Sequence, residues 1–149
     1  MIRVFIDTSV LFSASLSTTG ASREIVRQGL RGTIQLVISK LVLTEATRNL
    51  AQKAPQAVPL FNQFLKTLPF EVVNPGKEEV QEAASYTELK DAPIIAAAKT
   101  AHVDFLVSLD RRHIIGIEAV RKNSGLAIVL PDEFLSHLRG QQVAHKKAA

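Results

Sequence analysis

Four acidic side chains stand where an α/β chain does chemistry. Asp7 follows the apolar run IRVFI, and Asp110 ends the run VDFLVSL. An acid at the carboxyl end of a parallel strand lies where open sheets place their ligands. Asp91 opens the apolar stretch IIAAAKTA, and Glu45 falls one and a half turns into a helical pattern. If the first and fourth strands are neighbours, all four acids converge on one edge. Carboxylates a few ångströms apart raise one another's pKa, so four cannot stay ionised unaided. A hard divalent cation removes that conflict, and oxygen-only ligands suit Mg²⁺ or Mn²⁺. Such ions stabilise the attacking and leaving oxygens of a phosphoryl displacement. Each acid also has a structural reading, because Asp7, Ser9, Asp91 and Asp110 all stand where a side chain can cap a helix. The chemical reading therefore rests on the set.

The remaining acids fit the set poorly. Asp104 precedes Asp110 by six residues, and an extended strand puts it about 20 Å away, at the opposite edge. Asp132 reads as an N-cap before Phe134 and Leu135. Other phosphate chemistries lack their residues: neither G-x-x-x-x-G-K-[ST] nor G-x-G-x-x-G occurs. A receiver domain wants paired acids after its first strand and a lysine after its last, where this chain has Thr8 and Pro131. A haloacid-dehalogenase-like phosphatase needs a second Asp where Ser9 stands, and no G-x-S-x-G elbow is present. With no cysteine there is neither a disulfide framework nor a thiolate metal site.

The elements that must hold the acids follow from periodicity. The 149 residues suit one domain, and 46% hydrophobic content with 5% aromatics indicates an aliphatic core. Strands are predicted at Ile2–Ile6, Ile34–Ile38 and residues 70–73, 103–109 and 126–130. Helices are predicted at residues 10–14, from Ala21 onward, at Lys40–Lys53 behind a Ser39 cap, and at 58–68, 77–89, 94–101 and 111–121. A last helix starts at Pro131 with Phe134, Leu135 and Leu138 on its face. The alternation predicts a three-layer α/β/α fold around a doubly wound parallel sheet of about five strands. One domain spans 1–139, and GQQVAHKKAA (140–149) reads as a flexible basic tail. No stretch has the length and apolarity of a membrane span. The first strand begins without a secretory signal pattern, so a cytoplasmic protein is expected.

In order along the chain, VFIDTSVLFSA, SKLVLTEATRNL, KDAPIIAAAK and VDFLVSLDRRHI resemble the four acidic motifs of the PIN-domain family. The acids are separated by steps of 38, 46 and 19 residues, and the likeness runs from Ile2 to about Leu138, including LPDEFL. It is strongest to PIN-family toxins of bacterial and archaeal toxin–antitoxin pairs. The resemblance implies a single-strand ribonuclease that uses Mg²⁺ or Mn²⁺ to activate water for phosphodiester hydrolysis. It implies Asp7, Asp91 and Asp110 as metal ligands, directly or through water, with Glu45 completing the pocket. Ser108 occupies a position where the family often carries Thr or Ser. Its hydroxyl either orients Asp110 or a metal water, or bonds the backbone; Thr8 and Ser9 are secondary candidates. His113 suggests a proton shuttle, although a lone histidine there is more often a surface or packing residue. A homodimer and a protein antitoxin are also implied.

The net charge of +4 permits a polyanionic partner without requiring one. Arg111, Arg112 and Lys90 can bring positive charge near the acids. Arg23, Arg27 and Arg31 repeat every fourth residue, either lying along phosphates or forming a solvated face. Phe12 is the one stacking candidate near the acids. The sequence thus reads as a metal-dependent endoribonuclease acting on single-stranded RNA, the toxin of a toxin–antitoxin pair. The first rival is a non-catalytic PIN-like module that binds RNA or protein. The second is a small ligand-binding α/β domain whose acids only cap helices.

Overall fold

The structure is a computed structural model describing the backbone of residues 1–115 and 117–148, and the side chains of 1–112, 114 and 117–141. Five parallel strands, β1 (Ile2–Ile6), β2 (Ile34–Ile38), β3 (Glu71–Val72), β4 (Phe105–Val107) and β5 (Ile128–Val129), pair in the order β3-β2-β1-β4-β5. Eight helices among the described residues complete the three-layer α/β/α fold expected from the sequence. They are α1 (Thr8–Leu16), α2 (Ala21–Arg31), α3 (Lys40–Lys53), α4 (Val58–Thr67), α5 (Lys77–Ala84), α6 (Ala92–Thr100), α7 (Glu118–Ser124) and α8 (Pro131–Ala148).

β1 is central because Val4, Phe5 and Ile6 are apolar on both faces and wholly buried. The chain first winds outward through β2 and β3, then returns to place β4 on the other side of β1. That reversal opens a crevice at the carboxyl ends of β1 and β4. In their register Ile6 faces Val107, so the next residues, Asp7 and Ser108, leave the sheet side by side. Arg3, the polar interruption of β1, chelates Glu71 with Nη1 and Nη2 at 2.6 and 2.9 Å. Its backbone N–H donates to Asp104 at 2.8 Å, which fixes Asp104 at the amino edge, away from the crevice.

Close packing and caps set the other elements. Gly29 lets α2 press onto β2, since a Cβ there would lie 2.4 Å from a Leu36 methyl. Gly32 ends α2 with φ 78°, a conformation that costs glycine little. Ser39 accepts the Val42 N–H at 3.3 Å and starts α3, as expected. α8 differs: Glu133, not Asp132, reaches back to accept the Leu130 N–H at 3.0 Å. Its backbone stays helical to Ala148, past the predicted boundary at 139, because alanine, glutamine and lysine favour helix without an apolar stripe. The stretch 111–121, expected to carry a short helix, holds a π-turn, Arg111–Ile115, and the start of the separate α7. No helix among the described residues is long and apolar enough to cross a membrane.

Candidate active site

Asp7 is held by an interlocked set of hydroxyls. It is 3% exposed, and its Oδ1 accepts the Ser9 hydroxyl at 2.5 Å and the Val10 N–H, the first-turn cap of α1, at 3.2 Å. Its Oδ2 accepts the hydroxyl of the fully buried Ser108. Ser108 Oγ also accepts the Asp110 N–H at 3.0 Å, and Ser9 Oγ the Leu109 N–H at 3.1 Å. Two serines thus tie the end of β1 to the segment after β4 and fix the first acid relative to the last. Ser108 orients Asp7 through its hydroxyl and Asp110 through the backbone. Burial pushes the Asp7 carboxyl above the usual carboxylate range; the hydrogen bonds oppose this, and the Asp110 charge adds to it.

The other two acids come from helices. Asp91, 6% exposed, precedes α6 and makes no side-chain cap to it, so the cap that the sequence left open for this residue is not made. Glu45, half-buried on α3, accepts the Thr8 hydroxyl at 3.1 Å. Asp7, Glu45, Asp91 and Asp110 all line one cleft of about 560 Å³. Thr8 and Ser9 line it too, while Ser108 stands behind Asp7.

The predicted arginine contacts divide. Arg23 is turned inward, with Nε donating to the Ala14 carbonyl at 2.6 Å and its guanidinium 5.3 Å from the Phe64 ring centroid. Arg27 donates to the Thr18 carbonyl at 2.6 Å and to Glu24 at 3.1 Å, and Arg31 lies 3.7 Å from Glu24. The stripe is therefore spent on its own surroundings rather than turned toward the acids. Arg111 and Arg112 are exposed just after Asp110, and Arg112 borders a smaller cleft beside Tyr86, Thr87 and Glu88. Lys90 pairs with Glu88 at 3.8 Å. The side chain of His113 lies outside the described residues. Sequence reasoning missed Asn49 and Lys53, which also line the acid cleft. Their signal was available, since both follow Glu45 at four-residue steps along α3.

A PIN-domain family model matches residues 3–112, the stretch that carries all four acids. The chain belongs to the PIN-domain family. No curated protein matches it. Solved structures share the fold of this PIN domain. PAE2754 from Pyrobaculum aerophilum is 18% identical with a TM-score of 0.64, covering 93% of this chain and 96% of that one. VapBC2 from Rickettsia felis, solved bound to a DNA fragment from their promoter, is 16% identical with a TM-score of 0.63, covering 87% and 98%. FitAcB from Neisseria gonorrhoeae is 15% identical with a TM-score of 0.60, covering 86% and 97%.

The donor set of this PIN domain can be tested against a divalent ion. Among the described residues, no three acidic or histidine side chains form a ready-made metal cage. Magnesium does not need one: it keeps several waters and takes one or two carboxylates. A water-accessible cleft lined by four carboxylates fits that mode of binding.

Proposed function

We propose that this PIN domain is a Mg²⁺- or Mn²⁺-dependent endoribonuclease that hydrolyses single-stranded RNA, and that it is a cytoplasmic toxin held in check by a protein antitoxin. The convergence of Asp7, Glu45, Asp91 and Asp110 on one cleft at the sheet's switch point is the observation that carries the catalytic part. The likenesses to VapBC2 and FitAcB support the toxin part. Asp7, Asp91 and Asp110 would hold the ion, which when bound neutralises charge around the scissile phosphate and lowers the pKa of water. The protein's own part is to place these acids. Ser108 and Ser9 hold Asp7, Ser108 fixes the backbone at Asp110, and the Thr8 hydroxyl steadies Glu45, whose part in this reading is to complete the acidic pocket.

One observation favours the non-catalytic rival: both Asp7 oxygens already accept hydrogen bonds, as in a purely structural carboxylate. A metal titration followed by thermal melting separates the readings. A ligand that binds only the folded state raises the melting temperature by mass action. Mn²⁺ should therefore raise it in the wild-type protein and do so less in Asp110→Asn. An equal rise in both, or none in either, refutes the metal site.

A further inference from the structure

The cleft is larger than a metal site requires. An ion with six waters occupies roughly 180 Å³ at about 30 Å³ per water, against about 560 Å³ here. The excess lies between α1 and α3. Glu45, Asn49 and Lys53 recur every fourth residue along α3, and Ser13 and Ser17 follow Ser9 at the same step along α1. At a rise of about 1.5 Å per residue, Lys53 stands roughly 12 Å beyond Glu45 along the helix axis. That exceeds a Debye length of about 8 Å at physiological salt, so Lys53 is not the counter-ion of Glu45. Among the described residues its ammonium has no ion-pair partner, and it is the only cation lining the cleft.

We propose that the α1–α3 half of the cleft is a subsite for the substrate strand, in which Lys53 contacts a backbone phosphate beside the one that is cut. This rests on the ribonuclease reading and adds the direction in which the strand leaves the acids. A polyanion entering an acidic cleft is repelled wherever no bound cation neutralises the wall, and Lys53 supplies charge where the acids end. Asn49, half-buried between Glu45 and Lys53, offers an amide to a base or ribose, and Phe12 on the facing helix offers a ring to a base. A lysine in the last turn of α3 also complements the helix dipole, so the test must separate substrate binding from helix stability.

Binding of a phosphorothioate-linked oligouridylate, which keeps the backbone charge and resists hydrolysis, is measured in Mg²⁺ over a salt series by fluorescence anisotropy. Lys53→Gln should bind roughly tenfold more weakly at low salt. Its plot of log affinity against log salt should be shallower by about 0.7, the value of one phosphate contact on a single strand. Lys53→Arg should restore both. With a cleavable strand and Mn²⁺, the loss should fall on KM rather than kcat. Wild-type affinity and slope in Lys53→Gln overturn the subsite, as does an equal loss in Lys53→Arg. A wild-type protein that binds but never cleaves refutes the ribonuclease reading instead, and the salt slope then still decides the role of Lys53.

Discussion

Replacing Asp7 by asparagine in the metal-free protein separates a carboxylate kept for chemistry from one kept for stability. The side chain is nearly enclosed, and burial drives its pKa above the ordinary carboxylate range despite three hydrogen bonds. The folded state therefore holds this proton more tightly than the unfolded chain. Between the ordinary value and the raised one, the folded protein binds more protons, so its stability falls as pH rises through that window. Each pH unit across it costs about 1.4 kcal/mol. Asp7→Asn keeps the shape and an oxygen for Val10 and Ser9 while removing the buried charge. Against that gain stands the loss of charge-assisted hydrogen bonds, each worth roughly 1 kcal/mol more than a neutral one. The upward pKa fixes the sign of the balance for the carboxylate: desolvation outweighs the hydrogen bonds. In chelator at pH 7 the variant should melt at least as high as wild type, with a gain of about 3 °C per kcal/mol for a chain of this size. Its stability should also lose the part of the pH dependence that Asp7 contributes. A purely structural cap predicts the reverse, a loss of about 1 kcal/mol, less where asparagine can cap in its place. Melting wild type and variant in chelator from pH 4 to 8 decides the matter. A variant several degrees less stable at neutral pH, with the wild-type pH dependence intact, refutes the reasoning.

Three further outcomes follow from the same contacts. Ser108→Ala removes the donor to Asp7 and the acceptor of the Asp110 N–H; it should cost about 1–3 kcal/mol in a denaturant melt and slow RNA cleavage roughly tenfold or more, and unchanged activity would show that Ser108 positions nothing. Arg23→Ala breaks the bond to the Ala14 carbonyl and the contact with the Phe64 ring; stability should fall by about 1–2 kcal/mol while the salt dependence of RNA binding stays put, and a shallower slope would return Arg23 to the RNA surface. Light scattering should give twice the 16.3 kDa chain mass if the implied homodimer forms; a clean monomer refutes the homodimer.

Much of this was legible because it depends on local pattern. β1, β2 and α3 lie where their apolar runs and the Ser39 cap put them, and strand–helix alternation implies the parallel sheet, but the adjacency of β1 and β4 was only a condition until the strand order supplied it. The later strands are shorter than their apolar runs. Val103 and Leu126 pack against the core outside the regular strands, and burial alone does not mark where a hydrogen-bonded ladder ends. In α4, Phe61 and Phe64 are buried within the monomer while Leu65 is exposed, a division that apolar periodicity alone does not draw. The arginine stripe was left between two readings for a related reason: spacing puts Arg23, Arg27 and Arg31 on one face but cannot say that Phe64 and the end of α1 meet Arg23. The hydroxyl lattice around Asp7 was only partly legible. Ser9 and Ser108 were singled out, but their mutual bracing depends on strands joined across a hundred residues.

The most direct test of the central claim is cleavage of a single-stranded RNA by the purified protein, followed by gel electrophoresis with Mg²⁺ or Mn²⁺ and with chelator, beside Asp7→Asn, Asp110→Asn and Asp110→Ala. Wild type should cut only with metal, none of the three variants should cut, and each should remain folded. Cleavage that survives chelator, or folded variants that cut like wild type, would contradict the four-acid, metal-dependent site.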